Sequence, residues 1–161
     1  MSYPEPVYHG DTGLSEATFR PAGHAPEVTY RSGGTAHYLA TGELTRGQFG
    51  LYRWEMAATP GGPGPHFHRT ISESFFVLAG TVQLFDGIRW TAATAGDYLF
   101  VPEGGIHAFR NDDGPASMLI LFAPGAPRED YFETLARVGE GLVMSDEEKT
   151  AFYLRHDTFW T

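Results

Sequence analysis

Residues 64–80 read GPHFHRTISESFFVLAG, which sets His66 and His68 one residue apart and Glu73 five residues further on. In a strand alternate side chains share a face, so His66 and His68 project one way and Phe67 the other. If Glu73 on the following strand turns to the same side, two imidazoles and a carboxylate converge. Neutral imidazole nitrogen and carboxylate oxygen are the donors that suit Fe, Mn, Ni, Co or Zn. A solvated HxH pair on a strand edge is the competing reading of this segment, and the rest of the chain has to decide between them.

The second informative segment is GDYLFVPEGGIHAFRN, residues 96–111, which places Gly96, Pro102, Gly104, His107 and Asn111 in a fixed spacing; Asn111 is the only asparagine in the chain. Fifteen residues separate Gly80, which closes the first segment, from Gly96. Together the segments resemble the two motifs of the cupin superfamily, and the resemblance covers about residues 35–123. There is one departure. The family's first motif opens with a glycine where this chain has Pro60; Gly61 and Gly62 follow it and keep the turn with a small shift.

What the resemblance implies is carried over residue by residue. In metal-binding cupins the ligands are the two first-motif histidines, the glutamate and the second-motif histidine; here these are His66, His68, Glu73 and His107. The implied cofactor is a divalent transition metal ion, one per chain, of unassigned identity. An octahedral ion with these four ligands keeps two adjacent positions for a substrate oxygen and a small second ligand such as dioxygen. A structural zinc site is closed, tetrahedral and usually holds sulfur. Gly80 and Gly96 allow sharp bends between strands, while Pro102 and Gly104 make the turn that aims His107 inward.

The elements that must position these residues are short strands. Residues 49–56, 73–78, 81–85, 88–92, 97–101, 106–111 and 116–123 read as strands punctuated by Gly and Pro, with Asp86-Gly87 as a two-residue hairpin turn. The implied fold is all-β, a cupin double-stranded β-helix or jelly-roll barrel with short C-terminal α-helices. The expected division is one cupin domain over residues 1–161: an irregular N-terminal arm (1–34), the barrel (35–123) and the helices (124–161). Pro127 reads as the first position of one helix, with Tyr131, Phe132, Leu135 and Val138 at helical spacing. Ser145 and Glu148 read as the capping box of the other, whose buried face includes Phe152 and Leu154.

Composition narrows the chemistry. The chain has no cysteine, and Lys149, on the second helix, is its only lysine, so thiol and Schiff-base mechanisms are excluded. A net charge of −9 argues against a nucleic-acid partner. No stretch reaches the roughly 20 apolar residues that span a bilayer. The first ten residues, MSYPEPVYHG, carry neither a basic cluster nor an apolar run, so a cytoplasmic location is expected. A homodimer is expected by analogy with the family.

Strand alternation brings Phe75 inward with Glu73, and Phe109 and Asn111 inward with His107. Phe75 and Phe109 are the candidate substrate contacts, against the plainer reading of barrel core. Arg53 would be an interior cation in one register of its strand; the more apolar register puts Tyr52, Trp54 and Met56 inside. His9, His24, His37 and His156 fall outside both motifs and read as surface or structural. The implied function is that of a metal-dependent dioxygenase on a small aromatic or enol-containing metabolite, resembling the quercetinase-like monocupins. In that reading Glu73 is both ligand and base, which needs a raised carboxyl pKa. The alternatives are a non-redox metal-dependent isomerase or cyclase, and a metabolite-binding barrel without turnover.

Overall fold

A computed structural model describes residues 2–112 and 114–161. The residues that build the sheet alternate: in Ala116–Ala123, Ala116, Met118, Ile120 and Phe122 are buried and the residues between them are half-buried. This strand, β10, is the spine of the largest sheet. Numbered along the chain, the other strands are β1 (Val28–Thr29), β2 (Thr35–Ala40), β3 (Gly50–Met56), β4 (His66–Phe67), β5 (Ser72–Ala79), β6 (Val82–Phe85), β7 (Trp90–Ala93), β8 (Tyr98–Val101), β9 (Ala108–Arg110) and β11 (Phe159–Trp160). Helices α1 (Glu129–Gly139) and α2 (Asp146–Arg155) lie between β10 and β11.

The six-stranded sheet runs β1-β2-β3-β10-β5-β8, a second sheet runs β7-β6-β9, and β11 pairs with β4. All of these ladders are antiparallel. The two larger sheets face each other across a core that includes Phe75, Val77, Val82, Leu84 and Met118, and the architecture is a jelly roll. β3 takes the apolar register: Tyr52 and Met56 are buried, whereas Arg53 pairs at 2.8 Å with Glu55. Among the described residues no helix is long and apolar enough to cross a membrane.

Three local expectations need correction. Asp86 and Arg89 form the closing hydrogen-bonded pair of the β6–β7 hairpin, so Gly87 and Ile88 are its central residues; Gly87 takes φ of 90°, as the first central position of a primed turn demands. α1 begins at Glu129 with Arg128 as its N-cap, two residues beyond the start that Pro127 suggests. In α2 the Ser145–Glu148 capping box is present, but Leu154 is exposed and Phe152 alone is buried. The segments around the barrel also hold strands: β1 pairs with β2, and β11 returns to β4.

Candidate metal centre

Four side chains from separate parts of the chain meet inside the barrel. One ligand atom from each of His66, His68, Glu73 and His107 lies within 4.8 Å of the others, and all four residues are buried. The backbone brings them there in pairs. His66 and His107 are directly opposed partners that exchange both amide hydrogen bonds, at 3.0 and 2.9 Å, so their rings sit 4.3 Å apart. Glu73 comes from β5, opposite Phe122 of β10 and Val101 of β8. His68 lies just beyond β4, where its carbonyl accepts from Gly104 N at 2.7 Å. Gly105 N closes the turn on Pro102 O at 2.9 Å, with Gly104 at φ of 80°, so the Pro-x-Gly segment does set the entry to His107.

Each imidazole spends its Nδ1 proton on a backbone carbonyl: His66 on Gly64 (2.9 Å), His68 on Asp157 (2.6 Å) and His107 on Gly105 (2.9 Å). That fixes the tautomer and turns the Nε2 lone pairs toward one another, the backing expected behind metal-ligating histidines. Glu73 Oε2 then stands 3.1 Å from His68 Nε2 and 2.8 Å from His107 Nε2. Acceptors this close repel unless a cation lies among them or a proton is shared. The donor set therefore fits a divalent transition metal ion.

The charges of the metal-free site follow the same geometry. Burial pushes the Glu73 carboxyl up, but hydrogen bonds from His107 and His68 outweigh it and hold the pKa below the ordinary carboxylate value. Burial pulls His107 down, and Glu73 more than reverses this, so the imidazole is raised. His66 is depressed to about 4, first by burial and then by the neighbouring His107. The direction for Glu73 is opposite to the one that a general base requires. Two imidazoles facing the same oxygen are the reason.

Beside the cluster is a cavity of about 340 Å³, with His66, Glu73, Phe109, Phe122, Trp54 and Arg128 among its walls. Phe109 lines this cavity. Phe75 does not: it is fully buried under Phe109 and His107, at ring separations of 5.5 and 5.8 Å, and belongs to the core. Asn111 is also structural, and its amide ties residues 57–61 to the end of β9. Buried His37 and His156 stand outside the cluster, the latter paired with Asp130 at 3.1 Å, while His9 and His24 are exposed. Three contributors carry no sequence signal: Asp157, which orients His68; Trp160, whose indole lies 5.3 Å from the His66 ring; and Arg128, one arginine among ten.

An antiparallel jelly roll with three histidines and a glutamate gathered inside it defines a cupin. The family model described as "Cupin domain" matches residues 53–122, the heart of the barrel, and supports placing the chain among the cupins. It is similar to quercetin 2,3-dioxygenase of Bacillus subtilis strain 168, at 28% identity over 148 residues, covering 83% of this chain and 42% of that protein. The chain spans about half the length of the curated relatives it matches. Among solved structures, its fold is similar to that of KdgF from Halomonas sp., with a TM-score of 0.61, 14% identity, and coverage of 73% of this chain and 99% of that one. It is also similar to a predicted oxalate decarboxylase from Thermotoga maritima, with a TM-score of 0.58, 20% identity, and coverage of 67% and 99%. At these identities the structural likeness concerns the fold.

Proposed function

We propose that this chain is a metal-dependent dioxygenase acting on a small aromatic or enol-containing metabolite. The observation that carries the reading is the inward convergence of three Nε2 lone pairs and one carboxylate beside an aromatic-lined cavity. The similarity to a quercetin 2,3-dioxygenase supports the reaction class. A divalent ion held by His66, His68, Glu73 and His107 would supply Lewis acidity and, for a redox-active metal, a path for electrons to dioxygen.

The chain's own residues do the rest. Phe109, Phe122 and Trp54 offer apolar walls that orient a flat substrate and exclude water. Glu73 Oε2 is committed to His68 and His107, whereas Oε1 accepts no hydrogen bond from a described residue. Oε1 is therefore the atom that receives a hydrogen bond from a substrate hydroxyl and fixes its orientation. The three backbone-anchored imidazoles hold their rings still while the ligand exchanges.

The test is dioxygen uptake by protein loaded in turn with Fe, Mn, Co or Ni and offered a panel of flavonols and enediols. The reading expects uptake that depends on both metal and substrate. Turnover that continues under nitrogen would put a non-redox isomerase or cyclase in its place, and no turnover with any pair would leave a binding barrel.

A further inference from the structure

Arg128 is 4% exposed and shares the cavity wall with Glu73 and His66. A guanidinium cannot shed its charge, and burying it is costly unless an anion and hydrogen bonds compensate. Compensation here is partial. One terminal nitrogen donates to His156 O at 2.7 Å, but the buried Nε has no hydrogen-bond partner among the described residues. The cation stacks on the rings of Tyr131, at 4.2 Å, and Phe122, at 5.0 Å. These contacts hold the group in place without neutralising it.

The nearby carboxylates are committed elsewhere. Glu129 accepts from Tyr52 at 2.6 Å, Asp130 pairs with Arg155 and His156 at 3.1 Å, and Glu55 pairs with Arg53 at 2.8 Å. Glu73 faces His68 and His107. Tyr131 cannot serve as an anion, because burial, against the pull of Arg128, pushes its phenol up to about 12. With Arg128 set against Glu73 and Glu55 against Arg53, a bound divalent ion would leave the cavity walls positive. A neutral ligand would leave that excess uncompensated.

We infer that Arg128 is the anchor for an anionic group of the ligand, and that the site takes small acids: an aromatic or enolic body with a carboxylate at the end facing Arg128 and a hydroxyl at the end facing the histidine cluster. This rests on the metal-site reading above and adds the substrate's charge to it. The Phe122 ring neighbours both groups, 5.0 Å from the Arg128 guanidinium carbon and 6.4 Å from the His68 ring. An arginine fork matches a carboxylate through paired N–H donors, and such charge-assisted bonds are among the stronger polar contacts.

The experiment is calorimetric titration under nitrogen with 3,4-dihydroxybenzoate and its neutral counterpart 3,4-dihydroxybenzamide. Both are titrated into zinc-loaded and metal-free protein, wild type and Arg128→Met. Wild type should bind the acid at least tenfold more tightly than the amide, with or without the ion, and in metal-free protein Arg128→Met should bring the ratio close to one. The wild-type ratio does not depend on the variant's folding, and Arg128→Lys, which keeps the charge without the fork, should give an intermediate ratio. Equal affinity for the two compounds, no binding of either, or an acid preference that survives in metal-free Arg128→Met would overturn the inference. An acid preference with no tightening by zinc would support Arg128 and count against the metal reading alone.

Discussion

His68 donates its Nδ1 proton to the backbone carbonyl of Asp157, 2.6 Å away in space and 89 residues later in the chain. A first-motif histidine is thus aimed by the segment that follows α2. The Asp157 carboxylate holds that carbonyl in register by accepting from Arg69 N at 2.9 Å and from Thr70 N and Oγ1 at 2.7 Å each. Replacing Asp157 by Ala removes all three bonds and frees the carbonyl. Disturbing the hydrogen-bonded backing of a ligating imidazole costs roughly 10–100-fold in metal affinity. A chelator-competition titration of Asp157→Ala checks this, and an unchanged dissociation constant would show that His68 is oriented without the Asp157 carbonyl.

Asn111 is 1% exposed and makes hydrogen bonds at both ends of its amide: Nδ2 to Ala57 O (2.7 Å) and Gly114 O (2.9 Å), Oδ1 from Gly61 N (3.2 Å). Truncation to Ala strands several backbone groups in a dry site, at about 1–3 kcal/mol each. Denaturant unfolding of Asn111→Ala should show a loss of at least about 2 kcal/mol, with the metal stoichiometry of the folded fraction unchanged.

Gly62 has φ of 152°, and a Cβ there would lie 1.9 Å from Phe109 O. The obstacle is backbone, so it cannot turn aside. Gly62→Ala should lower the melting temperature by roughly 5 °C or more, as a strained, overpacked position does, whereas Gly64→Ala, with open space around it, should change it little.

The metal-free protein should weaken in acid. Glu73, below its ordinary 4.5 because His107 and His68 outweigh burial, contributes stability that is present above 4.5 and lost as pH falls toward its folded value. His66, depressed from 6.5 to about 4 chiefly by burial, acts in the same direction: between those values the unfolded chain binds the proton first. His107 opposes them, since its raised pKa adds stability that is present below 6.5 and lost as pH rises through the folded value. Melting temperatures of metal-free protein should therefore drop steeply below pH 4.5, and Glu73→Gln should flatten that limb. An identical acid limb in the variant would contradict the assignment.

The sequence was most informative where chemistry and turn geometry coincide. The HxH pair, Glu73 and the Pro-x-Gly-x-x-His run each constrain a backbone path as well as a donor, and all four donors meet. β10 was readable end to end because its alternation follows burial strictly. Other features lay outside local pattern. The hairpin slipped by one residue because Asp86 uses its carboxylate to accept from Ile88 N and Arg89 N, which places it before the turn. Arg128, Asp157 and Trp160 act through contacts across the fold. The apolar alternation of β3 was enough to turn Arg53 away from the core, whereas the buried cation, Arg128 at the N-cap of α1, has no such pattern to announce it.

The most direct measurement is elemental analysis of the purified protein, before and after dialysis against each divalent transition metal, for wild type and for His107→Ala. The account predicts close to one tightly held ion per chain in wild type and a small fraction of that in the variant. A wild-type protein that retains no transition metal after every loading, or a variant that retains as much, would contradict it.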